Sequence, residues 1–413
     1  MNRLESWKEI ADFFNVSVRT VQSWEAEKSL PIKRNPGARG RVWAEEADLR
    51  AWLDAQESAP PPPPQNPRQR YLIPLILTSL IVLITIAAFI AAHRPAGLPA
   101  AVKTEGLSLV ALDDQGTELW RRRLPFENHP LPERVLTEML KPAFLDLTGD
   151  GKPEVIFPLR GNDQKGQNAL LLCFSHDGQL LWQFEPGRAM RTALETHPRI
   201  YLLRAMAPVT LKSGSLPHLA LVSSQSPNFI SQVALLDSGG RLVREYWHSG
   251  HFTSVAAKDF DANGVPEILL TGVSNGYNAA TLVVLDPLKF SGASKEESRN
   301  HQILGEGDPV ERVRLLFPRT QANQIRQRYN QATGVLFAPD HLIVMVHDLT
   351  SDVCNVSVNY HLSFSLELRE PELADTTKTC YQTLYAARLL PKLLDPQDEL
   401  PELRKIKVLT PWH

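Results

Sequence analysis

One stretch decides the fold class of this chain: residues 171–182 read LLCFSHDGQLLW. Two apolar runs flank a polar Asp-Gly turn, and the second run ends in Trp182, which is typical of a β-hairpin. The pattern returns at residues 109–120 and, without the tryptophan, at residues 233–243. The turn glycines of the three copies are 62 residues apart: Gly116, Gly178 and Gly240. A repeat of short strands at such a period indicates propeller blades.

A second repeated unit lies between the hairpins. Residues 143–156 read AFLDLTGDGKPEVI and residues 256–269 read AAKDFDANGVPEIL. Oxygen-bearing side chains at positions 1, 3, 5 and 9, with glycine at position 6, have the spacing of a calcium-binding loop. The predicted ligands are Asp146, Thr148, Asp150 and Glu154 in the first loop and Asp259, Asp261, Asn263 and Glu267 in the second. The alternative is that both loops are Asx-rich turns without a metal.

These loops, each followed by Pro-Glu and an apolar pair, resemble the FG-GAP/VCBS repeats of integrin-like β-propellers. The resemblance implies a propeller-like domain over residues 93–413, clearest over 105–292, with calcium at one or two sites. It also implies an extracytoplasmic ligand or protein partner. Past residue 293 the repeat is lost, and a degenerate loop copy near residues 210–218 lacks the ligands.

The N-terminal residues 1–56 differ in character. Ser6 and Ser17 precede two short amphipathic segments, which predicts two capped helices, and residues 45–53 predict a third. Five basic residues and no acid lie between Lys28 and Ala44. A basic loop of this kind suits phosphate contacts, as in the wing of a winged helix-turn-helix.

The stretches SWKEIA (6–11), VSVRTVQSWE (16–25) and LPI (30–32) resemble excisionase/MerR-like helix-turn-helix modules. The resemblance implies a DNA-binding domain. Because a module of this size makes few base contacts, we expect it to bind DNA as a homodimer. The predicted DNA contacts combine the exposed face of the second helix with the basic loop: Arg19, Thr20, Gln22, Ser23, Lys33, Arg34, Arg39 and Arg41. The alternative is a three-helix protein-binding domain with a solvated basic loop.

An uncharged apolar run, residues 71–92, follows a proline-rich linker, residues 57–70. As a helix, 22 residues span about 33 Å, which matches a bilayer core of about 30 Å. We therefore expect one transmembrane helix in contact with membrane lipid. This places the chain in the cell inner membrane as a single-pass protein, with the N-terminus cytoplasmic and the C-terminal domain periplasmic or extracellular. A buried core helix is the alternative.

Composition limits the remaining function classes. A net charge of −2 gives the whole chain no polyelectrolyte character. The three cysteines, Cys173, Cys354 and Cys380, contain no metal-binding spacing, and the last two could be a disulfide or free thiols. Hydrolase and phosphate-loop motifs are absent from the sequence, and the histidines are scattered, so no enzyme is predicted.

Together these features predict a multi-domain fold class: a small α-helical winged helix-turn-helix, one transmembrane helix and an all-β propeller-like ectodomain. The predicted function is a membrane-anchored transcription regulator that couples an extracytoplasmic sensor to DNA. The alternative is an envelope adhesion or scaffold protein. In that case the propeller binds a protein or glycan, and the N-terminal domain is only a cytoplasmic protein-binding anchor.

Overall fold

The computed structural model describes residues 2–35, 41–57, 97–129, 140–226 and 230–411. The chain divides into two compact units, Met1–Arg94 and Pro95–His413.

The first unit combines helices with a small sheet. Its helices are α1 (Trp7–Phe13), α2 (Val18–Lys28) and α3 (Glu46–Glu57), and its strands are β1 (Arg3–Leu4), β2 (Lys33–Arg34) and β3 (Val42–Glu45). The strands pair antiparallel in the order β1-β3-β2. The helices α1 and α2 begin where Ser6 and Ser17 accept hydrogen bonds from the amides of Glu9 and Thr20. Ile10, Val21 and Leu49 lie in the buried core.

The second unit consists mainly of five antiparallel sheets that follow one another along the chain. The first sheet contains β4 (Ala101–Glu105), β5 (Ser108–Leu112) and β6 (Glu118–Arg123). The second contains β7 (Ala143–Leu145), β8 (Glu154–Leu159), β9 (Leu170–Phe174) and β10 (Leu180–Phe184).

The third sheet contains β13 (Tyr201–Val209), β14 (His218–Gln225), β15 (Ser231–Leu236) and β16 (Leu242–His248). The fourth contains β17 (Gly250–Lys258), β18 (Glu267–Ser274), β19 (Ala279–Leu285), β21 (Val313–Phe317) and β26 (Lys407–Thr410). The fifth contains β22 (Gln331–Phe337), β23 (Leu342–Thr350), β24 (Asn355–Leu362) and β25 (Leu368–Leu373).

A smaller sheet joins β11 (Met190–Thr192), β12 (Thr196–His197) and β20 (Ile303–Leu304). The helices of this unit are α4 (Gln321–Arg326), α5 (Thr377–Ala386) and α6 (Pro396–Leu403).

The inner strands of the second, third and fourth sheets are continuous apolar runs because these sheets pack against a neighbouring sheet on both faces. In β8, Val155 and Phe157 belong to a core cluster shared with the first sheet, whereas Ile156 packs in a cluster shared with the third sheet. In β18, Ile268 packs toward the third sheet and Leu269 toward the fifth. Successive side chains point to opposite faces of a strand, so one strand contributes to two cores.

The 62-residue repeat has a direct structural cause. The indole of Trp120 donates to the carbonyl of His176 at 3.0 Å, and the indole of Trp182 donates to the carbonyl of Ser238 at 3.1 Å. Each tryptophan therefore lies on the hairpin turn of the next copy. A side chain at Gly178 or Gly240 would meet the indole at 2.7 or 2.4 Å, so these positions require glycine.

The structure corrects the predicted fold class. The first unit is not simply α-helical, because β1 near the N-terminus pairs with β3, and β3 pairs with β2. Residues 93–413 are not all-β, since the chain forms the helices α4, α5 and α6 beyond the region of clear repeats. Strands dominate the regular structure of the described residues.

The predicted membrane helix, residues 71–92, lies outside the described residues. Within the ranges that the structure does describe, no helix is both long and apolar enough to cross a bilayer. The predicted single-pass location in the inner membrane, with its cytoplasmic N-terminus, is not supported by the described residues and is not carried forward.

Candidate functional site

The predicted DNA contacts lie in three places of the first unit. Four of them are on α2: Arg19, Thr20, Gln22 and Ser23. Lys33 and Arg34 form β2, and Arg41 precedes β3. Arg39 lies outside the described residues.

Two cations of the basic loop are paired with acids. Lys33 Nζ lies 2.9 Å from a carboxylate oxygen of Asp48, and this contact raises the pKa of Lys33. Arg34 lies 2.8 Å from a carboxylate oxygen of Glu25. These side chains are thus already engaged by acids of their own unit, and the loop carries less free positive charge than the sequence suggested. This geometry gives no support to a DNA-binding helix-turn-helix, and that assignment is not carried forward.

The first predicted calcium loop is held by backbone hydrogen bonds to its carboxylates. Asp146 accepts from the amides of Gly149 and Gly151 at 2.6 and 2.9 Å. Glu154, which is buried, accepts from the amides of Leu147 and Thr148 at 2.7 and 3.2 Å. Asp150 accepts from the amide of Lys152 at 2.9 Å. Among the described residues, carboxylates close enough together to hold a metal ion are found in the second loop and not in this one, and calcium here stays a prediction.

The second loop contains an internal cation. Ligand oxygens of Asp259, Asp261 and Glu267 lie within 4.8 Å of one another, a spacing that could hold a metal ion. However, the guanidinium of Arg312 donates to Asp261 at 2.6 Å and also pairs with Glu267. Two of the three carboxylates are therefore paired with the single positive charge of Arg312, so the donor set of this loop does not fit calcium while that side chain stays in place.

A cavity with stronger features for ligand binding lies at the end of β16. Its volume is about 400 Å³, within the usual range of roughly 300–1,000 Å³ for small-molecule sites. One side is formed by β16, and the other is formed by the long connection between β19 and β21. The lining residues are Val243, Arg244, Glu245, Trp247, Phe290, Ser291, Gly292, Glu306, Gly307 and Asp308.

Backbone pairing fixes this connection against β16. The amide of Trp247 donates to the carbonyl of Gly292 at 2.9 Å, and the amide of Ser294 donates to the carbonyl of Trp247 at 2.8 Å. The buried Arg314 of β21 anchors the same segment, because it donates to the carbonyl of Lys295 at 2.8 Å and to Glu296 at 2.6 Å. The cavity wall is consequently preorganised.

Charged groups surround the indole of Trp247. The guanidinium of Arg188 lies 4.5 Å from the centre of the indole ring and bridges Glu245 at 3.0 Å and Glu306 at 2.8 Å. Glu245 also accepts from the amide of Gln232 at 2.9 Å. With Asp308, the lining carries three carboxylates, which disfavours an anionic ligand.

Three buried donors near this indole have no hydrogen-bond partner among the described residues: Arg188 Nη1, Tyr201 Oη and Trp247 Nε1. The ring of Tyr201 packs edge-on against Trp247 with centroids 6.0 Å apart. Burial raises the pKa of Tyr201, so its hydroxyl keeps its proton. A buried donor without an acceptor costs about 1–3 kcal/mol. The three donors lie beside the cavity, and Trp247 is the one of the three residues that lines it.

Sequence reasoning missed this cavity. Trp247 belongs to the third hairpin copy, but it stands three residues beyond the position of Trp120 and Trp182 in the repeat. The opposite wall comes from the region where the repeat is lost. The displaced tryptophan was the one signal that could have marked the site.

Comparisons with known proteins give little. No family model matches the chain, and no curated protein matches it significantly. A protein of unknown function from Bacteroides caccae is 8% identical over 68% of this chain and 73% of that chain, with a TM-score of 0.30. Two structures of BBS1N in complex with ARL6DN, soaked with mercury or lead, are each 10% identical over 68% of this chain, with TM-scores of 0.30. The matches cover 83% of the chain in the mercury-soaked structure and 88% of the chain in the lead-soaked structure. At this similarity none supports a functional conclusion.

Proposed function

We propose that the second unit is a binding module that holds a neutral, polyhydroxylated ligand, such as a sugar residue of a glycan, in the cavity at Trp247. The transcription-regulator function stays a prediction. Because its membrane and DNA-binding features are not supported by the described residues, the function proposed here belongs to the second unit alone.

The observation that carries the proposal is the pairing of unsatisfied donors with carboxylates around one indole. The donors Trp247 Nε1 and Arg188 Nη1 need acceptors. In contrast, the ionised carboxylates of Glu245, Glu306 and Asp308 accept hydrogen bonds and donate none. A hydroxyl group both donates and accepts. A ligand with several adjacent hydroxyls can therefore satisfy both sets without bringing a charge among the three carboxylates.

The side chains that line the cavity are held in place by their neighbours, which favours binding to a preformed site. Glu245 is fixed by Arg188 and Gln232, and the opposite wall is anchored by Arg314. Side chains that are already ordered lose little conformational entropy when a ligand binds.

The test is saturation-transfer difference NMR of the full chain with free glucose, galactose, mannose and N-acetylglucosamine. We expect saturation transfer to at least one sugar, and we expect Glu306→Gln to weaken it. The matched control is Glu297→Gln in the same connection, because Glu297 pairs with Lys407 and does not line the cavity. Absence of transfer to every sugar, or equal loss with both variants, would contradict the proposal.

A further inference from the structure

Two histidines meet on the outward face of the fifth sheet. Ile343 of β23 lies opposite His361 of β24, and His341 stands two residues before Ile343. Residues two apart on a strand share a face, so the two histidines are diagonal neighbours. Their rings bring His341 Nε2 to 3.1 Å from His361 Nδ1. Both side chains are about one-fifth exposed, which leaves the pair open to solvent.

The outer nitrogen of each ring faces a carboxylate. His341 Nδ1 lies 2.8 Å from Asp340 Oδ1, and His361 Nε2 lies 3.2 Å from Glu372 Oε2. An ionised carboxylate only accepts hydrogen bonds, so in each neutral ring the hydrogen belongs on the nitrogen that faces the carboxylate. Arg369 holds Asp340 in place with a 2.6 Å ion pair.

This arrangement leaves two lone pairs facing each other. With both hydrogens on the outer nitrogens, His341 Nε2 and His361 Nδ1 each present a lone pair across 3.1 Å. Two such lone pairs repel unless the nitrogens share a proton or both bind one metal ion. In a tetrahedral zinc site with Zn–N distances of about 2.0–2.1 Å, two ligand nitrogens are separated by about 3.3 Å. The observed separation is therefore close to that of two nitrogens on one ion.

We propose that His341 and His361 form a binding site for a divalent transition-metal ion of the zinc type, with Asp340 and Glu372 as positioning residues. Imidazole nitrogen suits Zn²⁺, Cu²⁺ and Ni²⁺, and ligating histidines usually donate their other ring N–H to a carboxylate. Water completes the coordination, since the pair is open to solvent. The site is separate from the Trp247 cavity and does not depend on the proposed function.

The test is equilibrium dialysis of the full chain against Zn²⁺, with Co²⁺ absorption as a second readout. We expect the double variant His341→Ala/His361→Ala to bind one equivalent less than the wild type and to lose the cobalt d–d bands that report imidazole ligation. We expect Glu372→Gln to weaken binding by about 10- to 100-fold, as for other residues that orient a ligand.

The matched control is His176→Ala, because His176 is a histidine of the same unit whose Nε2 faces Lys152 rather than a second imidazole. It should bind Zn²⁺ like the wild type. Circular dichroism verifies folding, and His341→Asn/His361→Asn replaces the alanine variant if that variant unfolds. Equal zinc stoichiometry in the wild type and the double variant, as expected if the pair only shares a proton, would overturn the proposal.

Discussion

At the residue scale, the buried carboxylate of Asp348 should make stability depend on pH. Asp348 accepts hydrogen bonds from the amide and hydroxyl of Thr320 and from the amide of Asn330. Burial nevertheless dominates and raises the pKa of Asp348 to about 6. The unfolded chain releases this proton near its ordinary pKa of about 3.9, whereas the folded chain keeps it up to about pH 6.

Between these values the unfolded state binds fewer protons, so the free energy of unfolding falls as pH rises. The contribution of Asp348 is thus fully present below about pH 4 and lost through pH 6, and two pKa units correspond to about 3 kcal/mol. Urea unfolding at pH 4 to 7 should show this loss in the wild type relative to Asp348→Asn. Parallel pH curves for the two proteins would refute the assignment.

A second residue-scale prediction concerns Arg312, the internal cation of the Asp259 loop. Arg312→Gln removes the positive charge that pairs with Asp261 and Glu267. The variant should lose stability without calcium and regain it with calcium in the range of about 10⁻⁴–10⁻³ M, typical of extracellular calcium modules. Thermal unfolding with and without calcium measures this change.

Asp259→Ala in the Arg312→Gln background is the control, because it removes a further carboxylate of the same loop. It should abolish the added calcium response. If calcium up to about 10 mM, above that affinity range, leaves the melting temperature of Arg312→Gln unmoved, the loop is a hydrogen-bonded turn and not a masked metal site.

At the element scale, the contact of tryptophan with the next hairpin turn should be measurable. Gly116 and Gly240 occupy equivalent turn positions with φ of +78° and +76°. An added Cβ meets nothing within 4 Å at Gly116 but meets the Trp182 ring at Gly240. Alanine at either position carries the cost of a left-handed backbone, and Gly240→Ala adds overpacking of about 1–3 kcal/mol. Denaturant unfolding of both variants isolates the tryptophan contact, and equal destabilisation would argue against it.

The disulfide Cys354–Cys380 joins the turn before β24 to helix α5. It closes a loop with a sequence separation of 26 residues, so its removal by Cys380→Ser should cost about 2–4 kcal/mol. Cys173 is a buried free thiol whose pKa is raised by burial, and it should resist alkylation in the native state. Denaturant unfolding of Cys380→Ser measures that cost, and mass spectrometry after alkylation, with and without reductant, checks the disulfide and the protection of Cys173. Rapid native labelling of Cys354 or Cys380 without reductant would contradict the first.

At the scale of the whole molecule, the repeats in the sequence predicted a succession of β-sheets. They did so in the region where each hairpin copy makes the same contact with the next. Trp120 and Trp182 make the same hydrogen bond one repeat apart, so a pattern in the sequence reflects a pattern in space. The loops around Asp146 and Asp259 were likewise found from their shared spacing, and their prediction as calcium-binding loops stays a prediction. Arg312 was not foreseen, because it enters the second loop from 45 residues beyond Glu267.

The sites proposed above depend on contacts that periodicity does not encode. His341 and His361 are 20 residues apart and meet only through the register of β23 and β24. Arg188 reaches Glu306 across 118 residues, and the connection that carries Glu306 has no repeat. The prediction of a purely helical first unit was wrong for a different reason, because local patterns do not show that β1, β2 and β3 would pair as a sheet.

The most direct test of the central claim is calorimetric titration with the sugar that binds best, comparing the wild type, Trp247→Phe and Trp182→Phe. Phenylalanine keeps an aromatic ring and removes the indole N–H in both variants. Trp247 Nε1 has no partner within the part of the chain that the structure describes, whereas Trp182 Nε1 donates to Ser238. Trp247→Phe should weaken sugar binding by about tenfold, equivalent to about 1.4 kcal/mol, with Trp182→Phe binding like the wild type. Unchanged affinity in Trp247→Phe would contradict the assignment of the cavity as the binding site.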